Sequence, residues 1–221
     1  MKKLIGIGTG PGPGELLTLG ALRAIENCHH LFVPRNGKKT MALDTVLEVF
    51  NREELEEKIV YLDFPMGASN EQTYELARNT ISDTLKDQEV GVFITIGDGS
   101  IYSTLLNMLG KMEGDLTVEM IPGIPSFVAA ANAARWDLVR KDEEFTLMDG
   151  LEPERALTAD SLAILKTKNP EDILDRLEAE GYDYVYLERV GHPSEFISKN
   201  RDEIVARKSY MSLILARKKE Q

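Results

Sequence analysis

The 221-residue sequence is short of several things at once. It has one cysteine, Cys28, so no disulfide can form within the chain. Placed at the end of a predicted helix, that cysteine reads as a small buried apolar side chain. Its three histidines, His29, His30 and His192, and Cys28 show no metal-ligand spacing, so no metal is expected. Positive charge is also scarce: 26 Lys and Arg stand against 37 Asp and Glu, a formal net charge of −11. That argues against non-specific nucleic-acid binding, which needs a basic footprint. It leaves room for an anionic small substrate held by a local cationic patch. No apolar run approaches the roughly 18 residues of a membrane span. Met1-Lys2-Lys3-Leu4 looks like the start of a signal peptide, but Gly6, Gly8, Gly10 and Pro11 break the apolar stretch at once. A cytoplasmic protein with no membrane and no nucleic-acid partner is expected.

Hydrophobic residues make up 43% of the chain, which is ordinary for a folded protein and rules out wholesale disorder. The length fits one large or two modest α/β domains. Through the first half, strands and helices alternate. Strands are expected at Leu4–Gly8, at His30–Val33 (stopped by Pro34), at Lys58–Leu62, at Val90–Ile96 and at Leu116–Ile121. Between them lie helices from Thr18, with Leu22, Ile25 and Cys28 on one face, and over Met41–Phe50. A further helix opens on a capping box, Ser69-Asn70-Glu71-Gln72, and carries Tyr74, Ala77, Ile81 and Leu85; another spans Ile101–Met112. This alternation predicts a parallel sheet with right-handed crossovers. After Pro122-Gly123-Ile124-Pro125 the pattern changes. An alanine-rich helix is followed by strands at Phe145–Met148 and Leu162–Leu165, a helix from Asn169-Pro170, and strands at Tyr182–Leu187 and Met211–Ala216. The expectation is two α/β domains, residues 1–121 with a parallel sheet and residues 122–221 with a mixed sheet.

Three glycine-bearing loops follow three of the first-half strands: Gly8 to Glu15, Gly97 to Ser100, and Pro122 to Ser126. In a parallel sheet all three fall at the carboxyl edge, where α/β proteins bind ligands. Glycine lets backbone approach a ligand and adopt positive φ. The dinucleotide fingerprint G-x-G-x-x-G fails in every register, because its last glycine would be Pro11, Pro13 or Glu15. Pro11 and Pro13 also remove amide donors that a pyrophosphate needs. Gly37-Lys38-Lys39-Thr40 is not a Walker loop either. A stiff, donor-poor loop suits a ligand held by shape and by backbone carbonyls.

These residues resemble a known family. Gly8-x-Gly10-Pro11-Gly12 with Leu17-Thr18, Gly97-Asp98 with Tyr102, and Pro122-Gly123 look like the tetrapyrrole methylases. Those are class III S-adenosylmethionine-dependent methyltransferases built of two α/β domains around a cofactor cleft. The likeness covers nearly the whole chain. Phe64-Pro65-Met66, the run Gly97 to Thr104, and Ile121 to Phe127 are similar to the branch that methylates carbon 20 of precorrin-2 or cobalt-factor II in cobalamin biosynthesis. One position departs from the pattern: the family's usual Gly-Asp-Pro reads Gly97-Asp98-Gly99 here, which should loosen that loop.

The resemblance implies a cofactor site made of Pro11, Gly97, Asp98, Ile101, Ser103 and Thr104, with Ser126, Phe127, Leu165, Lys166 and Met211 from the second domain. Read by themselves, Asp98 is also a good turn former, and Ser103 and Thr104 can bond back into a helix. The implied substrate, an anionic tetrapyrrole, needs positive charge at the site, and Arg35, Lys38 and Lys39 after the second strand are the first candidates, with Arg135 and Arg140 second. A homodimer is implied too. No residue is identified as the base that removes a proton from the methylated carbon; His29, His30 and His192 qualify only by type. Two other readings stay open: a methyltransferase of the same architecture with another precorrin position or a diphthamide-type protein as substrate, and a non-catalytic binder of the cofactor or a tetrapyrrole.

Overall fold

The structure is a computed structural model that describes residues 1–64, 71–109, 112, 116–167 and 169–219. Backbone contacts divide the chain into two compact units, Met1–Pro125 and Ser126–Gln221.

The first unit is built on five strands: β1 (Lys2–Gly8), β2 (His30–Arg35), β3 (Ile59–Asp63), β4 (Val90–Thr95) and β5 (Leu116–Ile121). They form one parallel sheet in the order β3-β2-β4-β1-β5. The near-continuous apolar runs have a simple cause: both faces are covered. Ile5 and Ile7 of β1, Leu31 and Val33 of β2, and Val92 and Ile94 of β4 face a core shared with α1 (Leu19–Asn27) and α2 (Met41–Val46). The intervening Leu4, Phe32 and Phe93 face a second core with α4 (Glu71–Thr84) and α5 (Thr104–Leu109). A one-turn helix, α3 (Arg52–Leu55), precedes β3. Thr18 caps α1, its Oγ1 accepting from the Ala21 amide at 3.2 Å. Cys28 ends that helix buried, its Sγ directed at the Ile25 carbonyl.

Several expected boundaries shift, each for a local reason. Pro34 does not stop β2, which runs on to Arg35. The Arg35 carbonyl accepts from the Phe64 amide, so Arg35 bonds toward β3 and, by alternation, Pro34 faces β4. Pairing of β2 with β4 has already ended at Phe32, so no ladder bond is lost. The helix expected from Ile101 begins only at Thr104, because Tyr102 takes a positive φ of 45° and the Ser103 hydroxyl accepts from the Leu105 amide. The helix from Met41 closes at Val46 rather than Phe50. Ser69 and Asn70 of the expected capping box, and Pro65 and Met66, lie outside the described residues.

The second unit carries β6 (Phe145–Met148), β7 (Ser161–Leu165), β8 (Tyr182–Glu188), β9 (Phe196–Ser198) and β10 (Ser212–Lys218), with α6 (Ser126–Ala133), α7 (Pro170–Ala179) and α8 (Arg201–Val205). Its sheet, ordered β6-β7-β10-β8-β9, is mixed: β6 and β7 are parallel and the other pairs antiparallel. One face buries Leu162, Ile164, Tyr186 and Ile214 against Ile173, Leu174 and Leu177 of α7 and Ile204 of α8. The first strand pair and α7 match the sequence reading. β9 and α8 were not expected, although Asn200, Asp202 and Glu203 carry a helix-start signal: the Asn200 side chain accepts from the Asp202 amide at 2.9 Å and the Glu203 amide at 3.4 Å.

Candidate functional site

The three glycine loops of the first unit meet. Strands β4, β1 and β5 are neighbours in the sheet, so the segments leaving their carboxyl ends start about 5 Å apart. Gly10 and Gly97 exchange two backbone hydrogen bonds, of 3.1 and 2.8 Å. Both have positive φ, 77° and 69°, which a side chain disfavours. The third loop is closer still. A Cβ on Gly8 would stand 2.4 Å from the Gly97 carbonyl oxygen and 2.7 Å from the Gly123 nitrogen, and one on Gly123 would stand 2.2 Å from the same oxygen. Gly8 and Gly123 are glycine because backbone packs on backbone there. Gly97 differs, since nothing lies within 4 Å of its Cβ position. The sheet also has its topological switch at this place: β1 leads to α1 on one face, and β4 leads to α5 on the other.

Asp98 holds the loops in register. Its Oδ2 accepts from the Gly123 amide at 2.8 Å, and its Oδ1 accepts from the Ser100 amide at 2.8 Å and from the Ser100 hydroxyl. Burial pushes the carboxyl up, but these donors outweigh it and hold Asp98 below the usual carboxylate range. Thr9, fully buried, ties the first loop to the end of β4 through the Thr95 carbonyl, which takes both its amide (2.8 Å) and its hydroxyl (3.2 Å). The Gly14 amide donates to Glu48 Oε2 at 2.6 Å, anchoring the far end of the first loop to the residues after α2. Gly99 does not sit in a loose segment. It is buried, and the Met120 methyl lies 2.7 Å from its Cβ position, so Met120 occupies the space a larger residue would need.

The family comparison spans both units. The family model for Tetrapyrrole (Corrin/Porphyrin) Methylases matches residues 3–203. The chain belongs to that family. A relative from Methanocaldococcus jannaschii, described as a probable cobalt-precorrin-2 C(20)-methyltransferase, is 33% identical over 174 residues, covering 76% of this chain and 74% of the relative. The fold agrees with solved methylases. The structure of a cobalamin biosynthetic enzyme, cobalt precorrin-4 methyltransferase, superposes with a TM-score of 0.72 at 17% identity, covering 97% of this chain and 94% of that one. Uroporphyrin-III C-methyl transferase from Thermus thermophilus, solved in complex with S-adenyl homocysteine, gives 0.65 at 18% identity, covering 97% and 96%. Two α/β units, a parallel sheet followed by a mixed one, are the class III methyltransferase architecture.

The other methylase-site candidates fall as follows. In the first unit, Pro11 follows the Gly10–Gly97 bridge directly, and Ile101 donates its amide to the Asp98 carbonyl at 3.2 Å. Ser103 caps α5 and stands 3.5 Å from the Thr95 hydroxyl, and Thr104 opens the helix. In the second unit, Leu165, Lys166 and Met211 come together at one end of the sheet: the Lys166 amide donates to the Ser212 carbonyl at 3.0 Å, next to Met211. Lys166 has a positive φ of 55° and its Nζ reaches Asp149 at 2.8 Å. Ser126 opens α6, and Phe127 is buried against the Phe145 ring at 5.7 Å between centroids.

The substrate candidates Arg35, Lys38 and Lys39 lie at the carboxyl edge of the first sheet, in a turn closed by reciprocal Asn36–Lys39 backbone bonds of 3.1 Å. Lys38 and Lys39 are exposed. Arg35 is already engaged: Asp63 takes its Nε at 2.7 Å and its Nη2 at 3.0 Å, with the guanidinium 4.9 Å from the Tyr61 ring centre. Arg140 is likewise bonded to Asp137 at 3.1 Å, while Arg135 is exposed with a φ of 50°. Two histidines sit at the wrong end for chemistry at the glycine loops. His29 Nδ1 accepts from the Val90 amide at the start of β4, and His30 meets Glu89 at 3.2 Å. The length of β4, about 17 Å, separates them from Gly97. His192 Nδ1 is bonded to Ser194 at 2.8 Å in the second unit. What sequence reasoning missed were Glu48 and Met120, which belong to no motif, and the bonds made by Thr9 and Ser100, which lie in the named loops without being singled out.

Proposed function

We propose that the chain transfers the methyl group of S-adenosylmethionine to carbon 20 of precorrin-2 or cobalt-factor II, a step of cobalamin biosynthesis. The observation that carries this reading is the knot of Gly8, Gly10, Gly97 and Gly123, clamped by Asp98, in a tetrapyrrole methylase whose relative is described as acting on that carbon. The residues fit such a cofactor. Two prolines make the first loop poor in amide donors, as suits a ligand without phosphate, and the open Cβ position at Gly97 leaves backbone for close approach.

When bound, the cofactor supplies an electrophilic methyl on a sulfonium. The chain's part is to bind and to orient. In the first unit the residues offered to it are Pro11, Gly97, Ile101, Ser103 and Thr104, with Asp98 as the positioning residue; in the second they are Ser126, Phe127, Leu165, Lys166 and Met211. Asp98 acts through Gly123, fixing the loop, since its oxygens are committed to Gly123 and Ser100. Phe127 is held in its place by packing on Phe145. Arg35, Lys38 and Lys39 receive carboxylates of the macrocycle, Arg35 by exchanging Asp63 for substrate. Placing a carbon nucleophile about 3–3.5 Å from the methyl is the main source of rate. By the same reading the protein is cytoplasmic and a homodimer, and sedimentation of the purified chain checks the dimer.

The test mixes purified protein with methyl-labelled S-adenosylmethionine and either precorrin-2 or cobalt-factor II. A singly methylated macrocycle with the label at carbon 20 is expected. Label at another carbon, or binding of both ligands without transfer, overturns the reading.

A further inference from the structure

The second unit carries a cationic hollow that none of the sequence motifs touches. It lies where the connection from β8 to β9 faces the segment after α8, has a volume of about 390 Å³, and is lined by Glu188, Arg189, Ser194, Arg207, Lys208 and Ser209. That suits one carboxylate arm with its water better than a whole macrocycle.

Its charges are not equivalent. Glu188 is satisfied from within: Oε1 accepts from the Tyr186 hydroxyl at 2.8 Å, and Oε2 stands 3.5 Å from Arg207 Nη1. Arg207 is held a second time, its guanidinium 3.8 Å from the centre of the Phe196 ring. Glu188 and Arg207 therefore neutralise each other, the carboxylate buried and the guanidinium partly exposed. Arg189 and Lys208 remain, and among the described residues neither has an acid within ion-pair distance. The nearby acid of the connection, Glu195, is turned to the Gly191 amide at 2.6 Å. In a chain of net charge −11, Arg35, Arg140, Arg176, Arg201 and Arg217 sit on carboxylates, whereas these two cations, like Lys38 and Lys39, do not, and they lie together at one hollow.

Arg189 is also held in place. Its backbone has a positive φ of 48°, a conformation a non-glycine residue adopts only where its surroundings impose it. Its amide donates to the Met211 carbonyl at 2.9 Å and its Nη1 to Ser194 Oγ at 3.1 Å. The bond to Met211 places the hollow at the same sheet end as Leu165 and Lys166.

We propose that this hollow receives a carboxylate arm of the macrocyclic substrate, with Arg189 and Lys208 as its counter-charges. A guanidinium presents paired N–H donors that match a carboxylate's two oxygens, and the lysine adds a mobile point charge. The inference rests on the reading of the chain as a tetrapyrrole methyltransferase and adds a site to it.

The test uses full-length protein and a stable polycarboxylate porphyrin, uroporphyrin, with binding followed by fluorescence at fixed salt. Arg189→Gln and Lys208→Gln each weaken binding about tenfold, as loss of one charge-assisted contact should. Arg207 is left alone because it is the partner of Glu188. Affinity for S-adenosylhomocysteine and the melting temperature stay at the wild-type values, and Lys141→Gln, at a cation 92% exposed elsewhere, changes nothing. In turnover the two variants raise KM for the tetrapyrrole and keep kcat. Wild-type porphyrin affinity in the double variant overturns the proposal, as does equal loss of porphyrin and cofactor binding. Displacement of the porphyrin by inorganic phosphate at physiological concentration also overturns it, marking a general anion site. If the wild-type protein binds uroporphyrin and methylates its substrate while the variants match it, only the hollow's role fails. If the wild type does neither, the functional reading fails first and takes the hollow with it.

Discussion

Adding a methyl group at three glycines separates packing from ligand approach. At Gly8 the new Cβ would meet the Gly97 oxygen at 2.4 Å, the Gly123 nitrogen at 2.7 Å and the Gly123 Cα at 2.8 Å. All three are backbone atoms, which cannot rotate away, so the three loops must spread. Overpacking of this kind costs about 1–3 kcal/mol, and backbone neighbours put Gly8→Ala at the upper end, about 3 kcal/mol. For a unit of this size that lowers Tm by about 10 °C. At Gly97 nothing lies within 4 Å, but φ is 69°, so Gly97→Ala carries only left-handed strain, about 1–2 kcal/mol. Gly181, with a φ of 75° and an equally empty surround, lies in the turn before β8 and serves as control. Gly97→Ala and Gly181→Ala should lose similar stability. Only Gly97→Ala should weaken S-adenosylhomocysteine in calorimetry, by tenfold or more, because its methyl enters the space left for the ligand. Equal cofactor affinity in the two variants, or a Gly8→Ala protein melting within about 2 °C of wild type, refutes the reasoning.

Three more expectations follow from the same contacts. Asp98→Ala leaves the Gly123 amide without its acceptor and should cost about 1–2 kcal/mol after allowance for solvent at the carboxylate. The folded pKa of Asp98 is depressed, so its stabilising charge is complete above the unfolded value near about 3.9 and is lost as pH falls through the folded one. The gap between wild type and Asp98→Asn, measured by denaturant titration, should therefore shrink as pH falls below about 4; a constant gap removes the charge from the explanation. Asp63→Asn releases the Arg35 fork, and KM for the macrocycle should fall several-fold; an unchanged KM takes Arg35 out of the substrate site. Cys28 is buried, and burial raises its thiol pKa against the lowering pull of Lys58, so it should resist alkylation at pH 8 until the chain unfolds. Rapid labelling of the native protein contradicts that placement.

The inner strands β1, β2 and β4 were legible because each is buried on both faces, which writes a continuous apolar run into it. The glycine loops were legible because backbone-to-backbone packing admits no other residue at Gly8 and Gly123. The strand order was not legible, since β1 lies between β4 and β5 through contacts far apart in sequence, and that order makes the three loops meet. Local conformations also escaped: the positive φ at Tyr102 shortens α5, and no residue preference announces it. β9, three residues long, has too few positions to show a period, although the Asn200 cap beside it carried a usable signal. At the site, the residue types gave Asp98 but not its bond to Gly123, and gave Arg35 but not its neutralisation by Asp63.

Charge decides which cations can serve an anionic substrate. A protein of net charge −11 repels a polycarboxylate at long range, and at physiological salt that repulsion fades beyond about 8 Å. Recognition of an anionic macrocycle therefore depends on cations within contact distance, and only those not already matched count in full. Arg35 can serve only by giving up two hydrogen bonds to Asp63, so its net gain is the difference between two similar partners. Lys38 and Lys39 are exposed at a turn, where solvent screens most of their attraction. Arg189 is exposed too, but its backbone is fixed by Met211, its side chain is steadied by Ser194, and among the described residues no acid competes for it. A cation that is placed before the ligand arrives loses less freedom on binding, so more of its attraction goes into affinity. The same reasoning explains why Glu188 can stand in a carboxylate-binding hollow without closing it: it is buried, and its charge is spent on Arg207 and Tyr186.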